Sequence, residues 1–409
     1  MTAGLRILSP LAWRNLWRNP RRTAITLIVV ALGMWSVLVF NAFLLAWAQA
    51  GKDEALGLMI GHGQIHAKGY MDDPSIEFLM PPPPAELRQV LDRPPFAAWA
   101  QRLALPGVVQ SEYRTLPATL TGVDPAAEAL VSSIPGKVVE GRYLKDAADE
   151  GVVLGLNLAK RLDTGLGRRV ILMTQDASGA LAEQSFTVIG LFDADQQTED
   201  FLVFTGAGAL GEMTGLKDEV AEIVFTLSDE AELETALAAL ERAAPDLDIR
   251  SWKQLSLFLA ATDSFMQGFI LIWLAVVFTL MAIGIVNTQL MAVFERIREF
   301  GLLQALGLRP RAVLMLVALE SALLVGCGVV IGMAAAALTI GAASRGVDLS
   351  AFAQALEMFQ GGQVLYPELA AGPFFLLSAI IWILGIVVAL WPARRASRAS
   401  PVEAMRRDT

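Results

Sequence analysis

The residues of this sequence whose types could do chemistry are few. His62 and His66 are its only histidines, and Cys327 is its only thiol. Two histidines four apart on a helix could hold zinc. The string Gly61-His62-Gly63-Gln64-Ile65-His66, however, alternates and carries glycines, which predicts a loop entering a strand, and no third ligand accompanies the pair. No metal site is therefore expected. The phosphate-cradling pattern GxxxxGK[S/T] does not occur, and no Ser/His/Asp or Cys/His arrangement presents itself. The expectation is a protein that is not an enzyme and binds no cofactor itself.

What the sequence does offer is charge in unusual places. Residues 295–311 carry six charges between two long apolar stretches, so they must lie in water at a membrane face. At helical spacing Ile297, Phe300, Leu303 and Leu306 share a face, while Arg296, Arg298 and Glu299 fall elsewhere. A short amphipathic helix so placed either rests in the headgroups or docks a cytoplasmic protein. Glu320 lies inside the next apolar stretch, where an ionisable group is expensive and faces protein or water. Snorkelling or interhelical hydrogen bonding is preferred there over proton coupling. Gly328 and Gly332, with the alanines at 334–337, make a small-residue face suited to packing within the chain, a dimer contact being the alternative.

These residues need membrane-spanning elements to position them, and composition supplies them. Hydrophobic residues make up 55% of the chain and the mean hydropathy is +0.51. Segments 23–50, 264–294 and 369–391 lack charge and 312–344 holds only Glu320, so each can cross a bilayer as a helix. The first is read as an uncleaved anchor, because its apolar run is about twice a signal core. Before it, residues 1–22 place Trp13 and Trp17 beside Arg14, Arg18, Arg21 and Arg22, the pattern of an interfacial helix in contact with membrane lipids. Residues 1–22, 295–311 and 393–409 carry net charges of +5, +2 and +3. By the positive-inside rule all three face the cytoplasm, with 51–263 and the short loop 345–368 outside.

The outer segment 51–263 holds 17 Lys/Arg against 33 Asp/Glu, which argues against nucleic acid as a partner. It reads as α+β: strands over 63–68, 108–123, 222–227 and 248–251, and helices over 96–105 and 229–243, the last capped by Ser228. Short strands at even spacing over about 140–214 predict a β-rich insert. Prolines 81–84 predict an extended, exposed loop.

The string ERIREFGLLQALGLRPRAVLMLVALESALL (295–324) resembles the signature of the FtsX-like permease superfamily of ABC transporters, which includes MacB and the lipoprotein-releasing permeases. LAWRNLWRNPRRTAITLIVVALG (11–33) and PARRASRASPVEAMR (392–406) resemble its flanking motifs, and residues 140–172 resemble the MacB-type periplasmic domain. The resemblance implies an α-helical protein of a bacterial inner membrane with four transmembrane helices. It further implies a porter-like α+β periplasmic lobe with an inserted, β-rich, sabre-like lobe. Segment 295–311 would be a coupling helix, with Glu295, Arg298, Glu299, Phe300, Gly301, Leu303, Ala305, Leu306 and Gly307 at the contact with a separate cytoplasmic ABC ATPase dimer. ATP and Mg would sit on that ATPase. A second permease copy or a paralogue is implied beside this chain. The leading cargo is lipoprotein from the outer leaflet, held by apolar walls at Phe43, Trp47, Phe265 and Phe269. Efflux of peptides or macrolides with an adaptor and outer-membrane channel, and mechanical activation of a cell-wall hydrolase or sensor, are the alternatives.

Overall fold

The protein is described here from a computed structural model covering residues 10–348 and 364–397. It divides into two units, Met1–Ala50 with Ser264–Thr409, and Gly51–Asp263. Most of the loop predicted over 345–368 and the distal part of the 392–406 motif lie outside the described residues.

A short helix α1 (10–16) buries Ala12 and Leu16, four residues apart, and leaves Trp13 and Trp17 exposed with ring centroids 6.1 Å apart. Helix α2 (Pro20–Ala55) opens on a proline, whose missing N–H costs nothing at a helix start. A π turn (Leu56–Ile60) continues it, giving 41 unbroken helical residues. At 1.5 Å per residue that is about 60 Å, twice the thickness of a bilayer's hydrocarbon core.

The α+β unit then runs β1 (Gly63–Ala67), α3 (Ala85–Leu91), β2 (Phe96–Gln110), β3 (Thr115–Val123), α4 (Pro125–Val131) and β4 (Val138–Gly141). It continues through β5 (Gly151–Gly155), α5 (Leu156–Leu162), β6 (Arg169–Gln175), β7 (Leu181–Phe192), α6 (Gln196–Phe201), β8 (Leu202–Gly206) and α7 (Ala207–Thr214). It closes with β9 (Glu222–Leu227), α8 (Leu233–Ala243), β10 (Leu247–Ser251) and α9 (Trp252–Leu255). One sheet takes the strands in the order β10-β1-β9-β2-β3-β8-β5-β7-β4, with β6 pairing β2 and β7. Two cores serve it. One gathers Ile65, Phe225, Leu240 and Trp252, the other Leu105, Leu120, Leu154, Leu172 and Phe186.

Strand β2 corrects the helix expected over 96–105. Its alanines fit a helical period, but β9 pairs its first half and β3 its second, and a central strand buried on both faces need not alternate. The β-rich stretch after residue 140 has its own core, yet its strands extend the same sheet because β2 is long enough to join both lobes. The cap before α8 also differs: Asp229, not Ser228, accepts a hydrogen bond, from the Ala231 N–H at 2.9 Å.

A capping box between Ser251 and Gln254 starts α9. Helices α10 (Leu257–Glu295), α11 (Ile297–Ala305), α12 (Pro310–Ala343) and α13 (Ala371–Ser397) complete the second half. α2, α10, α12 and α13 each contain a window apolar and long enough to span a membrane. The α2 residues Val30, Met34 and Val37 pack against Met281 and Ile285 of α10, Val325 and Val329 of α12, and Ile381 of α13. Gly328 and Gly332 face that same helix: a Cβ at either would come within 2.7 Å of Val30 or 2.6 Å of Met34. The small-residue face therefore serves packing within the chain.

Candidate functional site

Three local signals set α11 apart from its neighbours. Arg296 departs from helical geometry (φ −112°, ψ 13°) and ends α10. Gly307, at φ +96°, follows the terminal Leu306, a conformation in which a side chain would be strained. Pro310 then starts α12 with Arg309 as its cap residue.

The inward stripe of α11 is Ile297, Phe300 and Gly301. Phe300 is 1% exposed, packs with Val293, Val313 and Val317, and carries the Arg296 guanidinium over its ring at 5.2 Å. The outward stripe is Arg298, Leu302 and Ala305, followed by Leu306 and Gly307. Leu302 and Leu306 are 62% and 78% exposed. The expectation that Phe300 faces a partner is thus corrected. Phe300 and Leu306 are six residues apart and stand about 120° from each other around a helix, whereas Leu302 and Leu306, four apart, fall on one face, so the exposed apolar pair is Leu302 with Leu306. The Leu303 side chain lies outside the described residues.

Behind this face stands a polar node. Glu320 of α12 accepts from Asn15 Nδ2 at 2.6 Å and from Arg296 Nη1 at 3.0 and 2.9 Å, which is the interhelical hydrogen bonding expected of it. Arg296 Nε also donates to Glu299 at 3.1 Å. Arg18 donates to both oxygens of Glu299, and Arg22 to Glu295 at 2.9 Å. The Arg18 hydrogen bond, supported by Arg296, holds the Glu299 carboxyl below the usual carboxylate range against the opposing effect of burial. The Glu320 and Arg296 side chains are each 13% exposed. Replacing Glu320 with Leu would leave Arg296 and Asn15 without that partner, and we expect a stability loss of roughly 2 kcal/mol, read as a lower melting temperature of the purified chain. An unchanged melting temperature would show that the node contributes nothing. The sequence pattern did not indicate these partners, although Asn15, Arg18 and Arg22 recur at one-face spacing.

The other candidate residues lie apart from this node. Phe265 and Phe269 stack on each other at 6.4 Å on the exposed side of α10, 68% and 41% exposed. Phe43 and Trp47 are half-buried on α2, which meets α10 through Phe40 stacked on Trp273 at 4.2 Å. In the α+β unit His66 stacks on Tyr70 at 5.2 Å within reach of Ala221 O and Gln64 Oε1, and His62 Nδ1 accepts from the Leu227 N–H. Burial pushes both imidazoles below the usual histidine range. Among the described residues no three His, Cys, Asp or Glu gather as metal ligands.

A centre that sequence spacing missed is Arg102. Fully buried, it donates to both oxygens of buried Glu128 at 2.9 and 2.7 Å, to Glu222 at 2.9 Å, and to Met59 O at 2.7 Å in the π turn. Burial alone would lower its pKa, but the two carboxylates outweigh that and hold the guanidinium charged. An arginine inside the run Leu-Ala-Leu to Ala-Trp-Ala was the available signal.

Comparison with known proteins agrees with this architecture. The MacB-like periplasmic core domain matches residues 23–243 and the FtsX-like permease C-terminal region matches 269–401. The lipoprotein-releasing system transmembrane protein LolC of Neisseria meningitidis serogroup B is 22% identical over 94% of both chains. The pyoverdine export ATP-binding/permease protein PvdT of Pseudomonas aeruginosa is 24% identical over 96% of this chain and 58% of its own. The macrolide export ATP-binding/permease protein MacB 1 of Yersinia pestis bv. Antiqua is 24% identical over 97% of this chain and 60% of its own. This chain thus spans LolC nearly end to end and somewhat over half of the two export proteins. With four apolar helices, a MacB-like periplasmic-type domain and a matched permease region, the chain belongs to the FtsX-like ABC transporter permease family.

Proposed function

We propose that α11 docks a cytoplasmic ABC ATPase dimer and that this chain turns ATP hydrolysis there into movement of its periplasmic domain, releasing lipoproteins from the outer leaflet of the inner membrane. The observation that carries the docking reading is the exposed Leu302 and Leu306 pair beside Arg298, at the end of the bundle richest in arginine. A short helix presenting such an apolar patch fits a groove on a partner. ATP and Mg belong to that ATPase in this reading, and a second permease, a copy or a paralogue, completes the transporter.

Likeness to LolC along 94% of both chains favours lipoprotein as cargo. Phe265 and Phe269 supply an exposed aromatic wall on α10 where acyl chains could rest, each buried CH₂ contributing about 0.8 kcal/mol. Photocrosslinkers at Phe43, Trp47, Phe265 and Phe269 in cells whose ATPase is inactive should capture lipoprotein. Export is the second reading, favoured by the matches to PvdT and MacB; capture of a siderophore, peptide or drug at those positions would choose it and sink the lipoprotein assignment.

Orientation follows the arginine count. In a Cys327→Ala background, a cysteine at Ser178 should react with an impermeant maleimide added outside, and one at Ser397 should not. The opposite pattern would reverse the topology and remove α11 from the cytoplasm.

A further inference from the structure

We infer that the segment leading into α2 and helix α11 move as one body, so that whatever displaces α11 displaces the foot of α2 with it. This rests on the reading of α11 as the docking helix and adds the route by which motion leaves it. Asn15, Arg18 and Arg22 each meet a carboxylate from a different element: Glu320 of α12, Glu299 of α11 and Glu295 at the end of α10. Arg296 braces the set by holding Glu320 and Glu299 together.

An isolated exposed ion pair contributes little and is screened by salt. Here two arginines share Glu299, and Arg296 and Asn15 share a mostly buried Glu320, so no tie to Glu299 or Glu320 loosens without disturbing the next, and Arg22–Glu295 adds a separate tie. The fused segment has a direct outlet. Helix α2 begins at Pro20, carries Arg22 in its first turn, and continues without a break for 41 residues to Ile60. A push at α11 would reach Ala50, where this unit ends, without crossing a loop. The same node makes Glu320 a positioning residue: its side chain holds Arg296, the residue at which α10 ends and α11 begins.

The test uses the full chain purified with its ATPase in lipid nanodiscs, in a Cys327→Ala background, with one reporter cysteine at a time. Ala48→Cys reports on the distal part of α2, and Gly268→Cys, where a Cβ has open space, reports on α10. Maleimide labelling rates are compared without nucleotide and after trapping with ATP and vanadate. Both reporters should respond in the parent. Adding Arg18→Glu should abolish the response at Ala48→Cys while Gly268→Cys still responds and the ATPase still co-purifies. Arg18→Lys, which keeps a cation against Glu299 and leaves Arg296 its partner, should retain the response at Ala48→Cys. A response at Ala48→Cys that survives Arg18→Glu, is missing in the parent, or is lost in Arg18→Lys would overturn the inference. So would loss of the ATPase from the Arg18→Glu complex, since the pair would then shape docking instead of passing motion. Failure of the docking reading itself would show separately, as ATPase retained when Leu302 and Leu306 are both replaced by Asp.

Discussion

Replacing Leu302 and Leu306 together with Asp should leave the permease inserted and folded but strip it of its ATPase. Both side chains are exposed and neither belongs to the core around Phe300, so the fold has little stake in them. Two apolar anchors lost from an interface typically cost about 3 kcal/mol together, or on the order of a hundredfold in affinity. Charges left facing an apolar groove would add to that. Co-purified ATPase should therefore fall to background while the amount of permease in the membrane stays at the parent level. Phe300→Asp is the poorer experiment, since it would place a carboxylate among Val293, Val313 and Val317 and disturb the bundle first. Undiminished ATPase with the double variant would mean that α11 rests in the headgroups.

Arg102→Met should destabilise the periplasmic domain by about 3–5 kcal/mol, because it strands one fully buried carboxylate and one nearly so. Single domains are stable by roughly 5–15 kcal/mol, so this one change removes a large share. Arg102 is also where the two lobes meet: it is the residue at which β2 passes from pairing with β9, opposite Glu222, to pairing with β3, opposite Val123. Through Met59 O it further holds the π turn that ends the long first helix. Limited proteolysis of the purified chain during heating should show the domain opening at lower temperature in Arg102→Met. The triple replacement Arg102→Met, Glu128→Leu and Glu222→Leu should be less damaging than the single one, since apolar groups of similar volume can replace a buried ion cluster at small cost. A single variant as stable as the parent would show that the cluster is not needed to join the lobes.

Much of this was legible because it is local. A run without charge long enough to span a bilayer is visible residue by residue. So are the Gly307 and Pro310 punctuation around α11 and the strands at 63–67 and 222–227. Distance defeated the rest. Arg18 and Glu299 are 281 positions apart and Asn15 and Glu320 are 305 apart, and nothing in either neighbourhood names the other. The alanine-rich 96–105 stretch fits two periods, and the strand forms because β9 and β3 supply hydrogen-bonding edges that a local pattern cannot reveal. Which apolar residues α11 exposes was misread for a smaller reason. A series taken at every third residue drifts about 60° around the helix at each step, so by Leu306 it has left the face of Phe300 and reached that of Leu302.

The most direct measurement places a photocrosslinking amino acid at Leu302 in cells and identifies by mass spectrometry what it captures. The account predicts a cytoplasmic ABC ATPase, captured at Leu302 and not by the same probe at Ser178 in the β6–β7 turn. Capture of lipid alone at Leu302, or of the ATPase at Ser178, would contradict it.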